Sequence, residues 1–158
     1  MNYNLTTPQE VTATAFAIDE HMDASAVTHA DITLAEERYI VPIMGRRMYE
    51  RMLDGEYELL RVKYAAPAVA YFTRLLMQPL CDINTGRFGA TVPQSSYYAA
   101  AERSKLLDAR RMLREKARTL QQMLSDALDR DKEQYPEYRP EENILHHCMT
   151  NGGIVQVL

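Results

Sequence analysis

A stripe of leucine and alanine along one long stretch of the chain is the feature that most constrains its fold. Between Ser95 and Lys132 these residues recur three or four positions apart, which is the spacing of one face of an α-helix: Leu106, Ala109, Leu113, Ala117, Leu120, Leu124 and Leu128. Ser95 or Ser96 can cap the start of this helix. Because the stripe is close to a heptad seam, the sequence predicts a long helix packed against another helix, within the chain or across an interface.

A second stretch, residues 56–78, predicts a buried helix. After Pro67 only Thr73 and Arg74 are polar before Gln78. A helix that is apolar nearly all round is typical of the centre of a domain, so we expect this one to be the core helix. Pro79 is predicted to end it, because proline lacks the N–H that continues a helix.

Two shorter helices are predicted before the core helix. The first is expected to open near Asp31, either with Asp31 as its N-cap or with Thr28 in a capping box. Pro42 and Gly45 are predicted to end or kink it. The second is expected to end before Gly55, which suits the position after a helix C-cap.

Two segments have the residue types of β-turns and strands. Ile83 and Val92 flank a centre that contains Gly86 and Gly89, which predicts a short hairpin. The tail Ile154–Leu158 follows two glycines and predicts an apolar strand that needs an edge to pair with.

These elements together predict a mainly α fold. We expect an N-terminal arm at residues 1–30, a helical bundle at 31–140 and a C-terminal tail at 141–158. A short β-hairpin at 82–93 is expected within the bundle, before the long last helix. The early stretch "VTATAFAI" is compatible with a short strand or a helix.

Composition excludes several classes of protein. The chain has 158 residues, is 46% hydrophobic and 25% charged, and carries a formal net charge of −4, which argues against a generic nucleic-acid binder. Its two cysteines, Cys81 and Cys148, do not form a disulfide framework. The start of the sequence does not resemble a signal peptide, and the most apolar run is too short to span a bilayer. We therefore expect a cytoplasmic protein without a membrane partner.

The glycine-rich segment does not have the spacing of a phosphate-binding loop. A P-loop needs G-x-x-x-x-G-K-[ST] between a strand and a helix, and here both the spacing and the lysine differ. "GRFG" matches the G-x-x-G loop of KH domains, but that loop joins two helices in a different order of elements. A glycine turn in a hairpin is the favoured interpretation.

The sequence motifs that would indicate a metal site or a catalytic site are also weak. The run "HHC" at 146–148 lacks the paired spacing of zinc ligands, and His21, His29 and Cys81 could join it only through the fold. No G-x-S-x-G motif occurs. The carboxylate pairs Glu36–Glu37 and Glu141–Glu142 are predicted to splay apart into solvent. The sequence therefore predicts no catalytic residue, no metal and no cofactor.

A basic face on the long helix has two interpretations. Six basic and two acidic residues lie between Lys105 and Arg118, and Arg111, Arg114 and Arg118 fall together on a face turned away from the leucine stripe. Such arginines suit phosphates or the carboxylates of a partner. The alternative is a solvated face with intrahelical ion pairs, such as Asp108–Arg111 and Glu115–Arg118.

The order of these segments resembles a known family. The pieces are "LTTPQEV", "DITLAEERYIVPIMGRRMYERML", the apolar helix "APAVAYFTRLLMQPL", "DINTGRFGA", the long amphipathic helix and "YPEYRP". In this order, over roughly Leu5 to Arg139, the chain resembles head–tail connector (adaptor) proteins of tailed phages and prophages, of the gp6-like type and particularly the versions carried by Bacteroidetes.

The resemblance implies a non-enzymatic virion protein that assembles into a ring between portal and tail and lets DNA pass. Under it, the hairpin and the tail become candidate subunit interfaces: Ile83, Gly86, Arg87, Phe88, Gly89, Val92, Ile154, Val155 and Val157. Portal and tail proteins are the implied partners, with at most transient, non-specific contact to DNA. The rival hypothesis is a helical nucleic-acid-binding or regulatory module that uses Arg111, Arg114 and Arg118.

Overall fold

Seven helices and four short strands make up the described part of the chain. The computed structural model describes residues 3–17, 22–81, 84–86, 89–91, 103–151 and 154–157. The α-helices are α1 (Pro8–Ala15), α2 (His29–Ala35), α3 (Val41–Met44), α4 (Arg46–Leu53), α5 (Glu58–Leu60), α6 (Ala66–Cys81) and α7 (Arg103–Arg130). The strands are β1 (Asn84–Gly86), β2 (Gly89–Thr91), β3 (Cys148–Asn151) and β4 (Ile154–Val157). The predicted mainly α class is confirmed.

Helix α6 is the centre of the core and packs against α1, α2 and α7. Its buried side chains cover more than half of the helix circumference: Ala68, Val69, Ala70, Phe72, Thr73, Leu75 and Met77. The prediction of a buried central helix is therefore confirmed. The prediction that Pro79 ends the helix is wrong, since α6 continues to Cys81. A proline in the last turn removes only one of the final hydrogen bonds.

The helix starts follow local capping chemistry. Thr7 caps α1: its hydroxyl accepts a hydrogen bond from the Glu10 N–H at 3.2 Å, and Glu10 accepts one from the Thr7 N–H. The early stretch that suited either a strand or a helix is thus helical over Pro8–Ala15. Thr28 caps α2 and forms a capping box with Asp31. The predicted capping box is therefore confirmed, and the alternative prediction that Asp31 is the N-cap is wrong.

Two π turns lengthen the helices that they join. Glu36–Ile40 connects α2 to α3, and Arg61–Ala65 connects α5 to α6. Pro42 neither ends nor breaks the first of these helices, because the wider π turn before it accommodates the missing N–H. The prediction is confirmed for Gly45, which follows the last residue of α3 and whose φ of +82° and ψ of 154° suit glycine.

Both strand pairs form within the chain. In the first, Thr85 lies opposite Ala90 and Gly86 opposite Gly89. Of the predicted hairpin at 82–93, only these two three-residue strands are described. In the second, β3 pairs antiparallel with β4, with Cys148 opposite Val157. The expectation of a free tail strand is therefore corrected: one edge of β4 is already paired with the preceding segment.

Helix α7, the predicted long helix, is described only from Arg103 onward. It runs from Arg103 to Arg130, and the predicted start near Ser95 lies outside the described residues. Three 3₁₀ turns follow it, at Lys132–Gln134, Pro140–Glu142 and Ile144–His146. Among the helices of the described part, none combines the length and hydrophobicity needed to cross a membrane.

Candidate functional site

The last helix divides into a buried half and an exposed half. From Ala117 onward, four apolar residues of α7 are almost completely buried: Ala117, Leu124, Ala127 and Leu128. Before that point, every described side chain from Lys105 to Met112 is exposed, and Leu113 is half-buried. We call residues 105–114 the α7 arm. The leucine stripe thus packs within the chain along one half of α7 and continues onto an exposed surface along the other.

The α7 arm exposes large apolar side chains. Leu107 is 57% exposed, Met112 69% and Leu106 41%. Leu106 lies seven residues before Leu113 and belongs to the same stripe. Large exposed apolar side chains on one helical segment favour an interaction surface, because burying a leucine stabilises a complex by at most about 1.5–3 kcal/mol.

The three predicted arginines are exposed, as expected for a partner-facing or solvated face. Arg111 forms an ion pair with Glu115, with Nε and Oε1 3.2 Å apart, in place of the predicted pair with Asp108. Among the described residues, Arg114 and Arg118 have no ion pair. Surface pairs of this type contribute little to stability, so the arginines are not needed to hold the helix together.

A groove of about 410 Å³ lies beside the buried half of α7. Arg38 and Arg118 line it, together with Ile144. Its floor contains Tyr39 and Phe72, whose rings stack with centroids 4.0 Å apart. No acidic side chain is among the described residues that line the groove, so its charge is positive.

Gln121 connects α7 to the first π turn. Its side-chain amide donates a hydrogen bond to the backbone carbonyl of Tyr39 at 2.8 Å. A π turn shifts the helical hydrogen-bonding pattern, and this contact gives one carbonyl of the turn a partner from a different helix. Tyr39 is therefore held both by the hydrogen bond from Gln121 to its carbonyl and by the stacking of its ring on Phe72.

A buried carboxylate joins three elements. Glu36 is completely buried, and its oxygens accept hydrogen bonds from the Leu5 N–H at 2.6 Å, the Asn4 side-chain amide at 2.9 Å and the Tyr49 hydroxyl at 2.8 Å. Arg61 adds a hydrogen bond to the Leu5 carbonyl at 2.6 Å. Residues 4–6 are therefore fixed to the helical core.

The environment of Glu36 opposes its ionisation. Burial raises the pKa of Glu36 above its ordinary value of 4.5, while the hydrogen bonds from Asn4, Leu5 and Tyr49 act against that shift. Burial, with the nearby Glu36 charge, also raises the pKa of Tyr49. The prediction that Glu36 and Glu37 are both solvated is correct only for Glu37, which is exposed and forms a two-point ion pair with Arg46.

The position of Glu36 in the helical pattern indicated that it is buried, although a charged residue is ordinarily expected at the surface. Glu36 lies four residues after Ile32 and one after Ala35, on the apolar face of the helix, whereas Glu37 is one position further round. A carboxylate among buried positions indicates a polar contact inside the core. The donors, Asn4 and Tyr49, are distant in sequence, so their arrival at this carboxylate could not be read from spacing.

The segment that follows α7 is held by a buried polar network. The Asn143 amide, itself completely buried, donates hydrogen bonds to the Ser125 hydroxyl at 2.8 Å and to the Tyr138 hydroxyl at 2.9 Å. Tyr138 in turn donates to Asp129 at 2.7 Å. Burial and this hydrogen bond raise the pKa of Tyr138. Ser125 is fully enclosed, so the network holds the segment in place and offers no accessible nucleophile.

The histidines of the "HHC" run belong to this end of the molecule. His146 places Nε2 2.9 Å from an Asp129 carboxylate oxygen and Nδ1 2.8 Å from the Pro140 carbonyl. His147 contacts the Glu141 carbonyl at 3.0 Å. Within the described ranges, no three His, Cys, Asp or Glu side chains are grouped as metal ligands would be.

The predicted interface residues are only partly described. Gly86 and Gly89 are cross-strand partners, and Ile154, Val155 and Val157 lie in β4, paired with β3. The other predicted interface residues lie outside the described residues: Ile83, Arg87, Phe88 and Val92. Sequence reasoning missed Leu107 and Met112, which lie off the leucine stripe, and it did not separate the two halves of α7.

Comparison with known proteins places the chain in one family. No curated protein and no solved structure matches it. A family model described as "Family of unknown function (DUF6712)" matches residues 33–147, which include Glu36, α6, α7 and the network around Asn143. Since this match spans well over half of the chain, the protein belongs to the Family of unknown function (DUF6712).

Proposed function

We propose that the protein is a non-enzymatic structural or assembly protein of a tailed phage or prophage. In this proposal it is a head–tail connector that forms an oligomeric ring between portal and tail. It would be made in the cytoplasm of the bacterial host and then join the virion. The order of sequence segments supports the phage setting, and the α7 arm supports self-association.

The observation that carries the proposal is the exposed continuation of the leucine stripe. The same stripe that is buried at Leu124 and Leu128 is open at Leu106, and Leu107 and Met112 are also exposed on the arm. A helix in a stable monomer usually ends its apolar face where its packing ends. A stripe that continues beyond the packing suits a subunit whose arm is covered in an assembly.

The hairpin and the tail have a secondary place in the proposal. Within the part of the chain that the structure describes, strands β1–β2 and β4 each have an edge without a strand partner, which a neighbouring subunit or a portal protein could extend. The net charge of −4 suits a ring through which DNA slides, because tight binding of phosphates would impede passage.

Assembly can be tested by light scattering coupled to size exclusion and by negative-stain microscopy. We expect the wild type to form rings at high concentration or on a purified portal ring. The double variant Leu106→Ser/Leu107→Ser should stay monomeric with an unchanged urea midpoint, because both side chains are exposed in the monomer. Leu59→Ser is the matched control, since Leu59 is 88% exposed but lies off the arm. A wild type that stays monomeric alone and with the portal would contradict the proposal.

A second function, nucleic-acid binding, has one observation in its favour. Arg114 and Arg118 are exposed and have no ion pair within the described part of the chain, so both guanidinium groups are available to phosphates. This function predicts salt-dependent DNA or RNA binding that is weakened by charge reversal at Arg111, Arg114 and Arg118 but not at exposed Arg47. Binding that is equally weak in all variants would exclude it.

A further inference from the structure

We propose that the α7 arm of one copy docks on an acidic surface at the far end of α7 in a neighbouring copy. This inference rests on the proposed self-assembly and adds the two surfaces that meet. We define the acidic surface by four exposed carboxylates: Asp126, Glu133, Glu141 and Glu142.

The two surfaces carry opposite charge. The α7 arm has four basic residues and one acidic residue. Residues 126–142 have seven acidic and three basic residues. Opposed charges of this kind favour encounter and fix the orientation of docking, whereas two arms or two acidic surfaces would repel each other.

Contacts within the chain bring the four carboxylates to one end of the molecule. Tyr138 and His146 both hydrogen bond to Asp129, which lies on α7 and falls between Asp126 and Glu133 in sequence. The His146 ring also contacts the carbonyl of Pro140, the residue before Glu141 and Glu142. The segment that carries the last two carboxylates is therefore folded back against the end of α7.

Several of these carboxylates are not neutralised by their own chain. Within the described ranges, Glu133 and Glu141 have no ion pair, and Glu142 has only a 3.6 Å pair with Arg139. In contrast, Glu137 is bound by Arg51 and by the Tyr57 hydroxyl. The unneutralised carboxylates are the ones that a second chain's arginines can reach.

The acidic surface also has exposed apolar groups for the leucines of the arm. Met123 is 45% exposed and lies three residues before Asp126 on α7. Ile144, which is 38% exposed and follows Glu142 by two residues, lies where this surface borders the positive groove of Arg38 and Arg118. A mixed acidic and apolar surface thus complements the mixed basic and apolar surface of the arm.

The geometry of α7 makes this a contact between two copies. Its 28 residues extend about 42 Å, and Arg110 lies about 30 Å along the helix from Arg130, the last residue of α7 before the turn that carries Glu133. The two surfaces of one chain therefore cannot meet. Two different surfaces that match each other form a head-to-tail interface, which closes into a ring when the rotation between copies permits.

The test uses two charge-reversed proteins and their mixture. In Arg110→Glu/Arg114→Glu the arm becomes acidic, and in Glu133→Lys/Glu141→Lys the acidic surface becomes basic. All four side chains are exposed, and none forms an ion pair in the described structure, so both proteins should melt like the wild type. Each alone should assemble about tenfold or more weakly. Mixed in equal amounts, they should recover assembly, because each reversed surface then meets its complement.

The results separate this inference from the proposed function. A wild type that never assembles, alone or on a portal ring, overturns the proposed function and this contact with it. A wild type that assembles while both reversed proteins assemble equally well overturns only the contact. Weak assembly of both that is not recovered on mixing also overturns it. Gln9→Glu and Gln9→Lys, at an exposed position near the start of α1, are the controls and should assemble normally.

Discussion

The backbone N–H of Leu5 donates a 2.6 Å hydrogen bond to the carboxylate of Glu36, across 31 positions of sequence. Leu5 is 1% exposed and Glu36 is completely buried, so solvent does not compete for this bond. The contact places residues 4–6 against the first π turn and α4, because the same carboxylate accepts a hydrogen bond from the Tyr49 hydroxyl. It makes residues 4–6 part of the folded core.

Replacing Glu36 should destabilise the fold far more than replacing its neighbour. Glu36→Ala leaves three donors facing a buried space, and we expect the free energy of unfolding to fall by about 3 kcal/mol. Glu37→Ala removes only an exposed ion pair with Arg46 and should cost at most about 1 kcal/mol. Urea denaturation of both variants measures the difference. Equal losses would show that the buried carboxylate has no special role.

The protonation of Glu36 should make its contribution depend on pH in a defined direction. Because burial raises its pKa in the folded state above 4.5, the folded protein holds this proton more tightly than the unfolded chain. The stabilisation is full below about pH 4.5 and is lost as pH rises through the folded-state pKa.

The comparison with Glu36→Gln isolates this effect. Other carboxylates change stability in the opposite direction, since ion pairs or hydrogen bonds lower the pKa of Glu37, Glu58 and Glu137. The stability of wild type minus that of Glu36→Gln removes their contribution. In urea titrations this difference should decrease as the pH rises above about 4.5. A difference that increases over that range would mean that the folded state lowers the pKa of Glu36.

Hydropathy patterns predicted the elements that pack by their apolar faces and missed those set by long-range polar contacts. The burial of α6 follows from a stretch with almost no polar residue, and the capping box at Thr28 follows from local chemistry. The continuation of the helix past Pro42 could not be predicted from hydropathy, because it depends on the π turn at Glu36–Ile40. That turn carries a carbonyl that bonds to Gln121, 82 positions away.

The same limit applies to the candidate surface. The leucine stripe predicted a helix that packs on another helix, and it left open whether the partner was in the same chain. Only the fold shows that Leu124 is buried while Leu106 is exposed. Spacing alone cannot distinguish the two, since both positions carry leucine in the same periodic pattern.

The bond between Gln121 and the π turn should be measurable against an adjacent control. Gln121→Ala removes the donor to the Tyr39 carbonyl, and we expect a loss of about 1 kcal/mol in unfolding free energy. Gln122→Ala removes an exposed bond to Asp126 and should change stability by less than about 0.5 kcal/mol. If the two variants unfold at the same urea concentration, the π turn does not depend on this contact.

The network around Asn143 should decide whether the segment after α7 stays folded. Asn143→Ala deprives the buried Ser125 hydroxyl of a partner and removes the donor to Tyr138, so we expect a loss of about 2 kcal/mol. Hydrogen exchange of the amides in residues 135–147 should accelerate more than exchange in α6, because the network joins this segment to α7.

Two further variants separate the network from general damage at this end of the protein. Tyr138→Phe keeps the buried ring but removes the bond to Asp129, and it should accelerate exchange in the same segment to a smaller extent. His147→Ala changes an exposed residue of the same segment and should leave both stability and exchange near those of the wild type. If Asn143→Ala exchanges like His147→Ala, the apolar contacts of this segment, and not its buried amide, hold it on α7. The acidic surface proposed for docking would then not depend on Asn143.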